Sequence, residues 1–117
     1  MDNKTLLDCF APYIAPHKHF DVVLSKYGPL YVYPVDRRGE MHEAEMLTRP
    51  DKIIETVVFQ MICDTMESAQ NHRTRPTEEE FSSVSSRVQS LLSDLDCEAE
   101  AMHEVDRYIK QYKEYEW

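Results

Sequence analysis

The spacing of hydrophobic positions changes several times along the chain. Over NKTLLDCFAPYI, residues 3–14, Leu6, Leu7, Phe10 and Ile14 recur at three- and four-residue intervals, which predicts an amphipathic helix with Asn3 as its N-cap. Pro12 and Pro16 leave its end open, and APHKH reads as a connector. The period then shortens to two. FDVVLS alternates Phe20, Val22 and Leu24 with Asp21, Val23 and Ser25, and PLYVYPV follows through KYGP. DRRG supplies Asp36 and Gly39 for a tight turn. EMHEAEML is expected to return as a third strand, although its Glu and Met content suits a helix equally. With connections of hairpin length, the expectation is a three-stranded antiparallel meander.

The second of these runs is apolar on both faces. Leu30 and Val32 match Phe20, Val22 and Leu24 in chemistry, so they are assigned inward. Tyr31, Tyr33 and Val35 then form a second face, either covered by a terminal helix or left open as a contact patch.

A longer period of about 3.6 begins at residue 48. Thr48 is placed as cap, Pro50 in the first turn where its missing N–H does no harm, and Asp51 at the positive helix end. Ile53, Ile54, Val57, Val58, Met61 and Ile62 cover nearly half of the helix circumference, and Phe59, Cys63 and Met66 fill much of the rest. A helix apolar this far round is buried on more than one side and serves as the spine of the fold. Glu55 falls between Ile62 and Met66 on the wheel, which makes it a candidate half-buried carboxylate, paired with an arginine of DRR or reaching solvent. NHRTRP then breaks the pattern, with Asn71 ending the helix.

Thr77 and Glu80 form a T-x-x-E capping box, and no Gly or Pro follows them up to Trp117. Phe81, Val88, Leu95, Met102 and Ile109 recur every seven residues, with Val84, Leu91, Val105 and Tyr112 at companion positions and Glu98 the one misfit. This is a helical seam. Two arrangements satisfy it. One unbroken helix of about 39 residues would run about 58 Å, far beyond a radius of gyration of about 13 Å for a domain of this size; it would project and need a second copy. A break at SDLDCE, where Ser93, Asp94 and Asp96 are poor interior residues and good caps, would instead fold the seam into a hairpin. The fold class expected is α+β: an N-terminal helix and small sheet over 1–47, a buried central helix over 48–71, and a long or hairpinned helical region over 77–117, all in one domain.

Charge narrows the function classes. The net charge is −9, and it is unevenly placed: residues 1–50 carry 7 acids and 6 bases, residues 51–117 carry 15 acids and 7 bases. Such a chain lacks the clustered cations that replace phosphate counterions, so direct nucleic-acid binding is not expected. An anionic membrane is disfavoured on the same ground, and no apolar run approaches the roughly 20 residues that span a bilayer. The opening residues carry no signal-peptide pattern, so a cytoplasmic location is expected.

Assembled chemistry is sparse. Cys9, Cys63 and Cys97 have no paired spacing and are read as small buried thiols. His17 and His19 form an H-x-H pair without a third ligand, and His42, His72 and His103 are scattered, so no metal or other cofactor is assigned. Two glycines leave no material for a phosphate loop, and the serines of FSSVSS lack a nucleophile elbow. Tyr108, Tyr112 and Tyr115 share one helix face, with Trp117 just beyond, and these residues are of interface type. With Tyr31 and Tyr33 they make up the candidate interaction surface. The function expected is a non-enzymatic interaction or regulatory module that binds a protein partner or self-associates, a homodimer being one form. The alternatives are a small metal-binding protein or enzyme, and an acidic nucleic-acid mimic that binds a basic protein.

Overall fold

In a computed structural model the chain has an α+β architecture, with residues 2–68 and 75–117 described. Along the described residues run α1 (Asn3–Ile14), β1 (Phe20–Leu24), β2 (Leu30–Pro34), β3 (Glu45–Leu47), α2 (Pro50–Ser68), α3 (Glu78–Leu92) and α4 (Glu98–Lys113). Two compact units divide the chain between Ile53 and Ile54. Asn71 and His72 lie outside the described residues.

The first unit holds α1 and the sheet. Asp2, not Asn3, caps α1: its carboxylate accepts the Thr5 N–H at 2.7 Å. A cap must be non-helical, and Asn3 already lies in the first turn. Pro12 stays inside the helix because the carbonyl it fails to pair, that of Asp8, sits on the exposed side with it. Leu6, Phe10 and Ile14 are buried, as are Phe20, Val22, Leu30, Val32 and Leu47 on the sheet.

The strands pair in the order β1-β2-β3, each neighbour antiparallel. The third strand is shorter than expected. Only Glu45–Leu47 pairs continuously, and Met41 makes a lone bridge to Val35. The DRRG turn holds this hairpin: Asp36 accepts N–H bonds from Arg38 and Glu40, and Gly39 supplies the positive φ of 81°.

Helix α2 opens at Pro50, so Thr48 stands one residue too early to cap it; the Arg49 carbonyl accepts the Lys52 N–H instead. All six residues predicted to form its main apolar stripe, Ile53 to Ile62, are buried.

The second unit contains most of α2 together with α3 and α4. Thr77 and Glu80 make the reciprocal capping box, with both bonds formed. The seam is broken. Helix α3 ends at Leu92, Ser93 Oγ bonds back to the Ser90 carbonyl, and α4 begins at Glu98. Lys113 near the end of α4 meets Glu78 at the start of α3, at 3.0 Å, and lies over the Phe81 ring, so the two helices run antiparallel. The projecting helix is thereby excluded and the hairpin holds. Folding back also shifts the buried phase. Phe81, Val84 and Val88 are buried as expected, but Leu92 takes the place assigned to Leu91, and Leu91 and Leu95 are half-buried. On α4 Val105 and Ile109 are buried as expected, while Ala101 replaces the half-buried Met102. A hairpin turn resets the helical angle, so a heptad counted through it drifts off the face.

Candidate interaction surfaces

Two surfaces gather the interface-type residues, one in each unit. In the first, strand alternation places Phe20, Val22, Leu30 and Val32 on one side of the sheet and the tyrosines on the other. Register then lines up the outer side. Val23 faces Tyr31 and Tyr31 faces Met46, so these three form one row across the sheet. Val23 is 43% exposed and Met46 52%. Tyr33 opposes Asp21 in the next row, and Val35 opposes Met41, itself 58% exposed, beyond that. Tyr31, Tyr33 and Val35 are half-buried. Asp21 is the single charged side chain in these three cross-strand rows. Its carboxylate accepts the Val22 N–H at 2.8 Å, which occupies a backbone donor on edge strand β1.

In the second unit, Glu55, Phe59 and Cys63 follow one another at four-residue spacing on α2 and converge on Tyr112 of α4. The Tyr112 hydroxyl donates to the Glu55 carboxylate. Burial, then the Glu55 charge, push the Tyr112 hydroxyl well above the ordinary tyrosine range. Glu55 is half-buried, and the Tyr112 hydroxyl is one of its partners. Burial also raises the Cys63 thiol, helped by Asp64 and Glu67, which lowers its thiolate fraction.

Aromatic rings continue outward from this contact. Phe59 lies 5.3 Å from Tyr112 and stacks on Trp117 at 5.9 Å with 10° between planes. Tyr115 meets Trp117 edge-on at 5.3 Å. The Trp117 Nε1–H donates to the Tyr112 carbonyl at 2.9 Å, and the Arg75 guanidinium donates to the carbonyls of Lys113 and Tyr115. Arg75 thereby caps the Lys113 and Tyr115 carbonyls at the end of α4, whereas the Tyr112 carbonyl also accepts the Tyr115 N–H at 3.3 Å. Of the four aromatic residues singled out near the C-terminus, Tyr108 and Tyr112 are buried within the unit, whereas Tyr115 is 50% exposed and Trp117 half-buried. Tyr108 carries the Arg107 guanidinium 4.4 Å from its ring centre. Phe59, 37% exposed, belongs to the cluster although its sequence position marked it only as part of an apolar helix.

Elsewhere the candidates disperse. His17 Nδ1 accepts the His19 N–H at 3.0 Å and its ring packs on Phe20, which removes one metal-binding lone pair of the H-x-H pair. His42 pairs with Asp36 at 3.0 Å, and His103 is exposed on α4. Among the described residues no three His, Cys, Asp or Glu side chains gather as metal ligands. Cys9, Cys63 and Cys97 form no disulfide and are half-buried, more accessible than the buried thiols expected. A shallow groove of about 280 Å³ between α3 and α4 is lined by Phe81, Ser82, Ser85, Asp106, Ile109, Lys110 and Lys113. Among the described residues no helix is long and apolar enough to cross a membrane.

Comparison with protein-family models, curated proteins and solved structures finds no match to this chain.

Proposed function

We propose that the protein is a non-enzymatic interaction module whose contact surface is the outer face of its sheet. The observation that carries this reading is the row Val23–Tyr31–Met46, with exposed Val23 and Met46 flanking a half-buried Tyr31 across all three strands. Water against such a row is released when another apolar surface covers it, and methionines at the rim adapt to the shape they meet. Charge does not oppose a second copy here: residues 1–53 carry 8 acids against 7 bases. A second copy and another protein's apolar face are the two occupants this chemistry admits.

Light scattering over a concentration series, on wild type and on Val23→Glu and Met46→Glu, tests the reading. A mass rising from 13.8 kDa toward twice that value in wild type alone identifies self-association through the face. If wild type stays at 13.8 kDa, the face is tested against other proteins: a binding partner from native lysate should be retained by wild type and lost by both variants. Equal retention by all three, or no retention by any, rejects the surface. Both positions are exposed, so thermal melting of the variants should stay close to that of wild type.

A further inference from the structure

A different observation, in the second unit, points to a cationic ligand. Phe59, Tyr115 and Trp117 are partly exposed at the C-terminal end of α4, where the exposed Glu114 and Glu116 adjoin Tyr115 and Trp117 in sequence and Glu55 lies against Tyr112. The helix dipole adds negative potential at this end, offset in part by the Arg75 guanidinium bonded to the Lys113 and Tyr115 carbonyls. Residues 54–117 as a whole carry 14 acids against 6 bases. The lysines of the last turn do not cancel this at the rings. Lys110 and Lys113 line the groove toward α3, and Lys113 is bound to Glu78. The chain's own behaviour agrees: Arg75 already brings a guanidinium to the Tyr115 carbonyl, and Arg107 lies over Tyr108.

We infer that this aromatic corner docks an arginine-bearing basic segment of a partner protein, its guanidinium groups stacking on the exposed rings of Phe59, Tyr115 and Trp117 and pairing with the flanking carboxylates. Arginine fits better than lysine because its planar, weakly hydrated guanidinium stacks on a ring while its edge still donates hydrogen bonds. Attraction of a polycation to net charge alone does not distinguish the two side chains, so that preference is the signature of the rings. The inference concerns a site separate from the sheet face and stands or falls independently of it.

Trp117 is the single tryptophan and sits in the site, so its emission reports occupancy directly. Capped hexa-arginine and hexalysine are titrated against the full chain at about 150 mM salt, where screening over about 8 Å weakens nonspecific attraction. Hexa-arginine should shift the Trp117 emission saturably and bind several-fold more tightly than hexalysine. Tyr115→Ala and Phe59→Ala should each cut that preference by about two- to fivefold, the worth of one exposed ring–cation contact. Glu100→Gln, on the opposite end of α4, should leave the preference unchanged. Because Phe59 also packs against Tyr112, Tyr115→Ala is the deciding variant if Phe59→Ala does not fold. Equal binding of the two peptides, no change in emission, or an arginine preference that survives Tyr115→Ala overturns the inference.

Discussion

Replacing Leu92 with alanine tests the hairpin that organises the second unit. Leu92 is fully buried at the end of α3, whereas its neighbour Leu91 is half-buried. The substitution removes three carbon groups; at about 0.8 kcal/mol each, the lost transfer energy is about 2.4 kcal/mol. A cavity that the helix pair cannot fully close adds to this, giving a total of about 3–4 kcal/mol. Leu91→Ala loses only part of the transfer energy and leaves little void, so about 1 kcal/mol is expected. Urea unfolding followed by Trp117 emission reads the second unit, where that tryptophan lies. With a slope of about 1–3 kcal/mol per molar urea, the difference between the two variants should separate their midpoints by about 1–2 M. An unbroken seam through Leu91 requires the opposite order. A cost for Leu91→Ala equal to or above that for Leu92→Ala refutes the hairpin packing.

Three more outcomes follow from single contacts. Thr77→Ala removes one half of the capping box on α3 and should cost about 1 kcal/mol, read as a lower urea midpoint with unchanged slope. Tyr112→Phe removes one hydroxyl that hydrogen-bonds the half-buried Glu55 carboxylate and should cost about 1–2 kcal/mol. Because the folded Tyr112 hydroxyl titrates above its unfolded value near 10, its contribution is constant below that pH. Stability then falls by about 1.4 kcal/mol per pH unit as pH rises toward the folded value. Alkaline melts of Tyr112→Phe should lack that component, and equal slopes in both proteins contradict the burial. Asp36 is held below the usual carboxylate range, chiefly by the Glu40 N–H and then by His42. Its contribution is therefore present above the unfolded value and lost as pH falls through the folded one, and Asp36→Ala should remove it. Faster amide exchange at Met46 and Leu47 in Asp36→Ala, with α4 amides unchanged, is the expected readout.

Much of the architecture was legible in short-range pattern. Alternation around Phe20 and Val22 and the 3.6-residue period from Ile53 to Ile62 are set by how a side chain must point once the backbone is extended or helical. The Thr77–Glu80 box and the Asp36–Gly39 turn are local chemistry, closed within five residues, and both form as read. Errors at Asn3, Thr48 and the third strand are of one or a few residues, because neighbouring groups compete for the same end of an element.

Tertiary structure decided what local pattern leaves degenerate. A heptad run is equally satisfied by a straight helix or a folded pair; the choice turned on five polar-rich residues, Ser93–Cys97, and it moved burial from Leu91 to Leu92. Tyrosines that look alike in sequence were divided in the same way. Tyr108 and Tyr112 went inside, Tyr112 against Phe59 of α2, while Tyr115 stayed half-exposed, since only the packing of one helix on another says which side is inside. The partnership of Glu55 with Tyr112 spans 57 residues, and no local rule reaches that far. Sequence determined which faces were apolar. Which of those faces remained uncovered was determined by how much apolar surface the fold had left to cover them.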